Sequence, residues 1–121
     1  MTPILFPLIK ADSACLLTLG TSPTRFFEFG YADQNTIEPY AVWQVIGGSP
    51  ENYLDCVPDV DSFTVQIDIY GKDSSTTLKA AKAVSDVLEK VAHITSWRGQ
   101  MRDPNDKSFR ISFDVTLFQK R

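Results

Sequence analysis

Few residues in this chain have both the type and the spacing that chemistry needs. The most suggestive are Gly71-Lys72, where a strand pattern gives way to a helix pattern, as at a phosphate-binding loop. That loop requires glycine at position 66 and serine or threonine at 73. Here Gln66 and Asp73 stand in those places, and Asp73 would repel a phosphate. A capped turn is the expected structure. Asp59 and Asp61 begin like a calcium loop, but Phe63 sits where the third oxygen ligand belongs and no glycine turn follows. A solvated acidic loop is expected instead. His93 is the one histidine, next to a helix C-terminus, with no nucleophile or orienting partner that the sequence identifies. Cys15 is expected to pack as a small apolar residue. Cys56 lacks positive neighbours that would lower its pKa. No catalytic residue, cofactor or metal site is expected.

The elements around these residues are more legible. Phe63, Val65, Ile67 and Ile69 alternate with Thr64, Gln66, Asp68 and Tyr70, the period of a half-buried strand. Gly71–Ser74 breaks the strand and offers Asp73 or Ser74 as a helix N-cap. The period then becomes helical. Leu78, Ala80, Ala81, Ala83, Val84, Val87, Leu88, Val91 and Ala92 share one broad arc, opposite Lys79, Lys82, Asp86, Glu89 and Lys90. Asp86 and Lys90 form a favourable i,i+4 pair.

The remaining chain adds to this strand–helix unit. Residues 1–9 have near-helical apolar spacing, which Pro7 keeps short. Asp12 caps a helix over Ser13–Leu19 that Gly20 stops, burying Leu16, Leu17 and Leu19. Arg25–Phe29 is a strand, and Tyr40–Ile46 is another, ended by Gly47-Gly48. Gly47 to Asp61 is a long acidic connection, of a kind that tends to be functional or mobile. His93–Arg102 and Lys107–Gln119 form a hairpin around Asp103-Pro104-Asn105-Asp106. In the last arm Phe109, Ile111, Phe113, Val115 and Leu117 point inward. The order predicts an α+β fold: one domain over residues 1–121, a mainly antiparallel sheet with helices packed on one face.

Composition narrows the function classes. The chain has 121 residues and a net charge of −3, with no basic run, which argues against sequence-independent binding to a phosphate backbone. No apolar run approaches the ~20 residues of a membrane span. With no signal peptide ahead of them, the two cysteines are expected as reduced thiols, with a structural disulfide as the alternative.

The order of segments then carries the most information. Leu16-Leu17-Thr18-Leu19-Gly20 closes the N-terminal helical region, and Arg25-Phe26-Phe27 lies in the next strand. Pro39-Tyr40-Ala41-Val42-Trp43 precedes the long loop, and Phe63–Tyr70 leads into a helix with Ala80, Val84 and Leu88. Together these resemble the phage tail-completion family, the tail terminators or head-to-tail joining proteins of long-tailed bacteriophages. The resemblance implies a non-enzymatic virion protein. It assembles as a homohexameric ring at the head-proximal end of the tail tube, after a time in the host cytoplasm. Its partners would be the tube protein and a head-completion or connector protein, with DNA only as passing cargo. The expected subunit-contact or lumen residues are Glu51, Asp55, Asp59 and Asp61 of the acidic loop and Gln66, Asp68, Arg110 and Asp114 of the helix-free face. The alternative is a small ferredoxin-like ligand-binding or regulatory domain.

Overall fold

A row of apolar side chains on every second residue needs cover on one face only, and that requirement sets the architecture. The computed structural model describes residues 4–21, 24–31, 36, 38–50, 60–102 and 108–120. Its elements are α1 (Phe6–Lys10), α2 (Ser13–Leu19), β1 (Phe26–Glu28), β2 (Tyr40–Pro50), β3 (Val60–Gly71), α3 (Ser74–Leu88), β4 (Ala92–Arg102) and β5 (Phe109–Lys120). The strands form one sheet in the order β1-β2-β3-β5-β4, with only the β1–β2 pair parallel. The fold is α+β, as the segment order predicts.

β3 occupies the centre, with Phe63, Val65, Ile67 and Ile69 all buried beneath α3. Ile67 stands opposite Phe113 and Val65 opposite Val115, so the two inward rows pack as one. Leu5 and Ile9 of the N-terminal region and Cys15 and Leu19 of α2 join the same core. Each of those pairs is spaced i,i+4, one turn apart on a single helix face. Truncating Ile67 or Phe113 to Ala removes a fully buried side chain, a change that costs about 2–5 kcal/mol.

Between β3 and β4 the chain crosses over the sheet through α3, and β5 then pairs antiparallel with both. A ferredoxin-like layout needs two such crossovers. Here α1 and α2 precede every strand, so among the described residues only α3 makes one.

Several expectations are corrected. Leu17 is 88% exposed, because two positions of helix carry it to the far side of α2 from buried Cys15. Leu16 is half-buried. Leu78 is exposed as well, lying about 120° around α3 from Val84. α3 stops at Leu88, which leaves Val91 in an exposed turn and makes Ala92 the first residue of β4. Phe109 is half-buried rather than core. Asp86 pairs with Lys82 at 2.8 Å, where the spacing predicts Lys90. Gly47-Gly48 does not end β2. A bulge between Val45 and Gly47 shifts the register, and the strand continues with Gly48 opposite Phe63. A Cβ at position 48 would come within 2.8 Å of the Ser62 carbonyl oxygen, so glycine permits the close approach. Gly47–Pro50 and Val60-Asp61 are therefore strand. The rest of the predicted connection, 51–59, and the predicted turn at 103–106 lie outside the described residues.

The β3–α3 junction is tightly built. The Asp73 carboxylate accepts the Thr76 N–H at 2.7 Å, the expected N-cap. Buried Thr77 donates its hydroxyl to the Asp73 carbonyl at 2.6 Å. Gly71 leaves room for that hydroxyl, which a Cβ at position 71 would overlap. Gly71→Ala should therefore destabilise the protein by about 1–3 kcal/mol, read from denaturant unfolding midpoints. Hydrogen bonding from the Thr76 amide, and next from its hydroxyl, holds the Asp73 carboxyl below its ordinary value. Its ionised form thus stabilises the fold above the ordinary carboxylate range, and the contribution is lost as pH falls through the lower folded-state value. Asp73→Asn should lose stability relative to wild type at neutral pH, with the gap closing on acidification.

Candidate functional site

The sheet face that carries no helix is where the sequence places four of its contact or lumen residues, and it holds a connected polar network. Successive residues of a strand point to opposite faces, so burying Val65, Ile67 and Ile69 turns Gln66 and Asp68 outward. The antiparallel register then sets Gln66 opposite Asp114 and Asp68 opposite Ser112. The Gln66 amide donates to both Asp68 oxygens, at 3.1 and 3.2 Å, and the Ser112 hydroxyl donates to Asp68 Oδ1. Arg98 of β4 reaches across with Nε 3.0 Å from Asp114 Oδ1 and Nη2 3.0 Å from Asp114 Oδ2. That bidentate fork and the Asp114 charge raise the Arg98 guanidinium above its ordinary value. The Tyr40 and Tyr70 rings stack 5.0 Å apart further along the same face.

Asp68, Ser112 and Asp114 are buried although no helix covers them, because neighbouring side chains fold over them. The carboxylates of Asp68 and Asp114 are hydrogen-bonded acceptors rather than free surface acids. Arg110, half-buried, sets Nη2 3.3 Å from the Met101 sulfur. Asp61 is buried near the start of β3, opposite Gln119. Glu51, Asp55 and Asp59 lie outside the described residues. The structure thus brings Gln66, Asp68 and Asp114 into one patch and adds Arg98 and Ser112, which the sequence does not single out. Arg98 leaves no local signal, since its partner is 16 residues away on another strand.

The other chemistry-bearing residues stay apart. His93 is exposed on β4 opposite Thr116. Cys15 is buried in α2, where desolvation and the neighbouring Asp12 carboxylate push its thiol up to about 12, so it is not a nucleophile at neutral pH. Cys56 lies outside the described residues. No group of three or more His, Cys, Asp or Glu able to hold a metal is found among the described residues. A groove of about 210 Å³ lies between the N-terminal segment and the end of α3, lined by Leu8, Ala11, Asp12, Val87, Lys90 and Val91. It is smaller than the roughly 300–1,000 Å³ of a small-molecule site.

The Arg25 side chain ties the N-terminal half together. Its Nε donates to the Pro39 carbonyl at 2.9 Å and its Nη2 to the Thr18 carbonyl at 3.4 Å. One side chain therefore fixes α2, the start of β1 and the approach to β2, the three segments that open the familiar order.

Comparison with known proteins agrees with that order. No curated protein sequence matches the chain. A chain from the virion of a native gene transfer agent particle superposes with a TM-score of 0.68 at 14% identity, covering 97% of this chain and 92% of that one. At that identity the likeness establishes a shared fold. The family model for the tail completion protein gp17 matches residues 4–120, nearly the whole sequence. The chain belongs to the tail completion protein gp17 family, a family of structural proteins of the phage tail.

Proposed function

We propose that this protein caps the head-proximal end of the phage tail tube, stops tube polymerisation and joins the tail to the head. The family match over residues 4–120 is the observation that carries this reading. The likeness to a chain of a gene transfer agent virion is consistent with it. The 121 residues act as one domain, and six copies form a ring. One side of the ring fits the end of the tube protein. The other side presents a surface unlike the tube and fits a head-completion or connector protein, so further tube subunits find no matching surface. The work is done by shape and contact, without catalysis or cofactor, first in the host cytoplasm and then in the virion.

Within the ring the helix-free face, with Gln66, Asp68, Arg110 and Asp114, and the acidic residues Glu51, Asp55, Asp59 and Asp61 supply the subunit contacts or line the lumen. DNA passes there as cargo. Asp114 is held by Arg98 and Asp68 by Gln66 and Ser112, so the described part of this face holds neither a basic patch that would bind a phosphate backbone nor a row of free acids.

Deleting the gene from its phage should leave DNA-filled heads without tails, alongside tubes of uncontrolled length in electron micrographs. Normal tails of normal length in that mutant would end the proposal. A ring structure with α3 lining the channel would overturn the placement of the lumen face while leaving the capping role intact.

A further inference from the structure

Among the described residues no strand pairs with the outer side of β4 or of β1, and the charged residues on these two edge strands differ in sign. β4 forms one edge. Between Ala92 and Arg102 it carries Arg98, Arg102 and no acidic residue, and all of its residues from 95 to 102 are exposed. β1 forms the other edge. Glu28 is the only charged residue from Phe26 to Tyr31, and it is exposed beside Phe29, 65% exposed, and Tyr31, 74% exposed. Trp97, the largest side chain of β4, is 58% exposed.

The register relates the two edges. Glu28 stands opposite Trp43, Trp43 opposite Ile67, Ile67 opposite Phe113, and Phe113 opposite Trp97, so one row crosses the whole sheet from edge to edge. Members of a row share a face. Glu28 and Trp97 therefore both lie on the helix-bearing side. Arg102 lies there too, over the ring of Phe109 at 5.4 Å. The edges also run in opposite directions: β1 is parallel to β2, and three antiparallel pairings separate β2 from β4. A second copy continuing the sheet sideways thus meets β4 with an antiparallel β1. The Phe26 C=O and Glu28 N–H point away from β2 by the alternation of the ladder, and flank Phe27 as one antiparallel bonding step.

We propose that copies of this chain join edge to edge, β4 of one against β1 of the next, with Arg102 facing Glu28 and with Trp97, Phe29 and Tyr31 covered at the join. Without stagger the row brings Glu28 opposite Trp97. Closing a sheet staggers neighbouring strands, and in the proposed join the stagger runs toward the C-terminal end of β4, which sets Glu28 beside Arg102. The competing arrangement, β4 against β4 about a two-fold axis, brings no acidic residue to Arg102, Arg98 being already held by Asp114, and closes as a dimer. The two bulges in β4, between Ile94 and Ser96 and between Trp97 and Gly99, interrupt any long ladder there. Partner choice therefore rests on the side chains. The inference rests on the ring proposed above and supplies its contact.

The test is a charge exchange read by sedimentation and native mass spectrometry of the full chain, free and on tube ends. Glu28→Arg and Arg102→Glu should each weaken association by about tenfold or more, and the double variant should return to within about threefold of wild type. In a Cys56→Ser background, Glu28→Cys with Arg102→Cys should oxidise to covalent multimers beyond the dimer. Single charge variants that assemble like wild type, or a double variant as weak as the singles, would overturn the edge contact alone. So would dimers from Arg102→Cys by itself, which report β4 against β4. A wild-type chain that stays monomeric both free and on tubes would overturn the ring, and the contact with it.

Discussion

The structure depends on the burial of one face of β3 beneath α3. Ile67, at the centre of that face, is fully buried, with Trp43 and Phe113 beside it and α3 above. Because strand side chains alternate, fixing that row inward fixes Gln66 and Asp68 outward. A one-residue slip would invert both faces. The junction that delivers α3 onto the row is equally constrained. Gly71, the Asp73 cap and the Thr77 hydroxyl fit together with no space for a methyl group. Everything else packs where this unit leaves apolar surface: β2 and β5 on its flanks, α1 and α2 against the helix.

The opposite face shows how a sheet remains ordered without a covering layer. Carboxylates that lose contact with water are costly unless donors replace it. Asp68 has Gln66 and Ser112 as donors, and Asp114 has the Arg98 fork. A satisfied network of this kind holds its members in one geometry and ties β4 to β5 by side chains as well as by backbone. Such rigidity suits a structural protein of the phage tail. The perturbed groups elsewhere in the chain have structural causes. Cys15 is buried away from reaction, and Asp73 is shifted by its capping role.

Family membership does not follow from any of these features singly. Capped helices, alternating strands and a polar sheet face occur in many unrelated proteins. Fold alone does not specify function. The family model matches residues 4–120, so membership rests on nearly the whole chain rather than on one of these features.

Much of this was determined by the sequence itself, wherever the cause is local. The period of β3 and β5, the caps Asp12 and Asp73 and the Gly20 stop depend on neighbours a few residues away, and all are found in place. Gln66, Asp68 and Asp114 were legible as outward residues for the same reason. Tertiary structure decided the rest. Whether Leu17 or Cys15 faces the core depends on how α2 is rolled against α3, and their types alone do not say. The continuation of β2 past Gly47-Gly48 depends on the bulge that lets it keep pairing with β3. The burial of Asp68 and Asp114 depends on Ser112 and Arg98, brought in from strands distant in sequence. Charges on different strands meet only once register and bulges are set, and no window along the chain encodes that meeting.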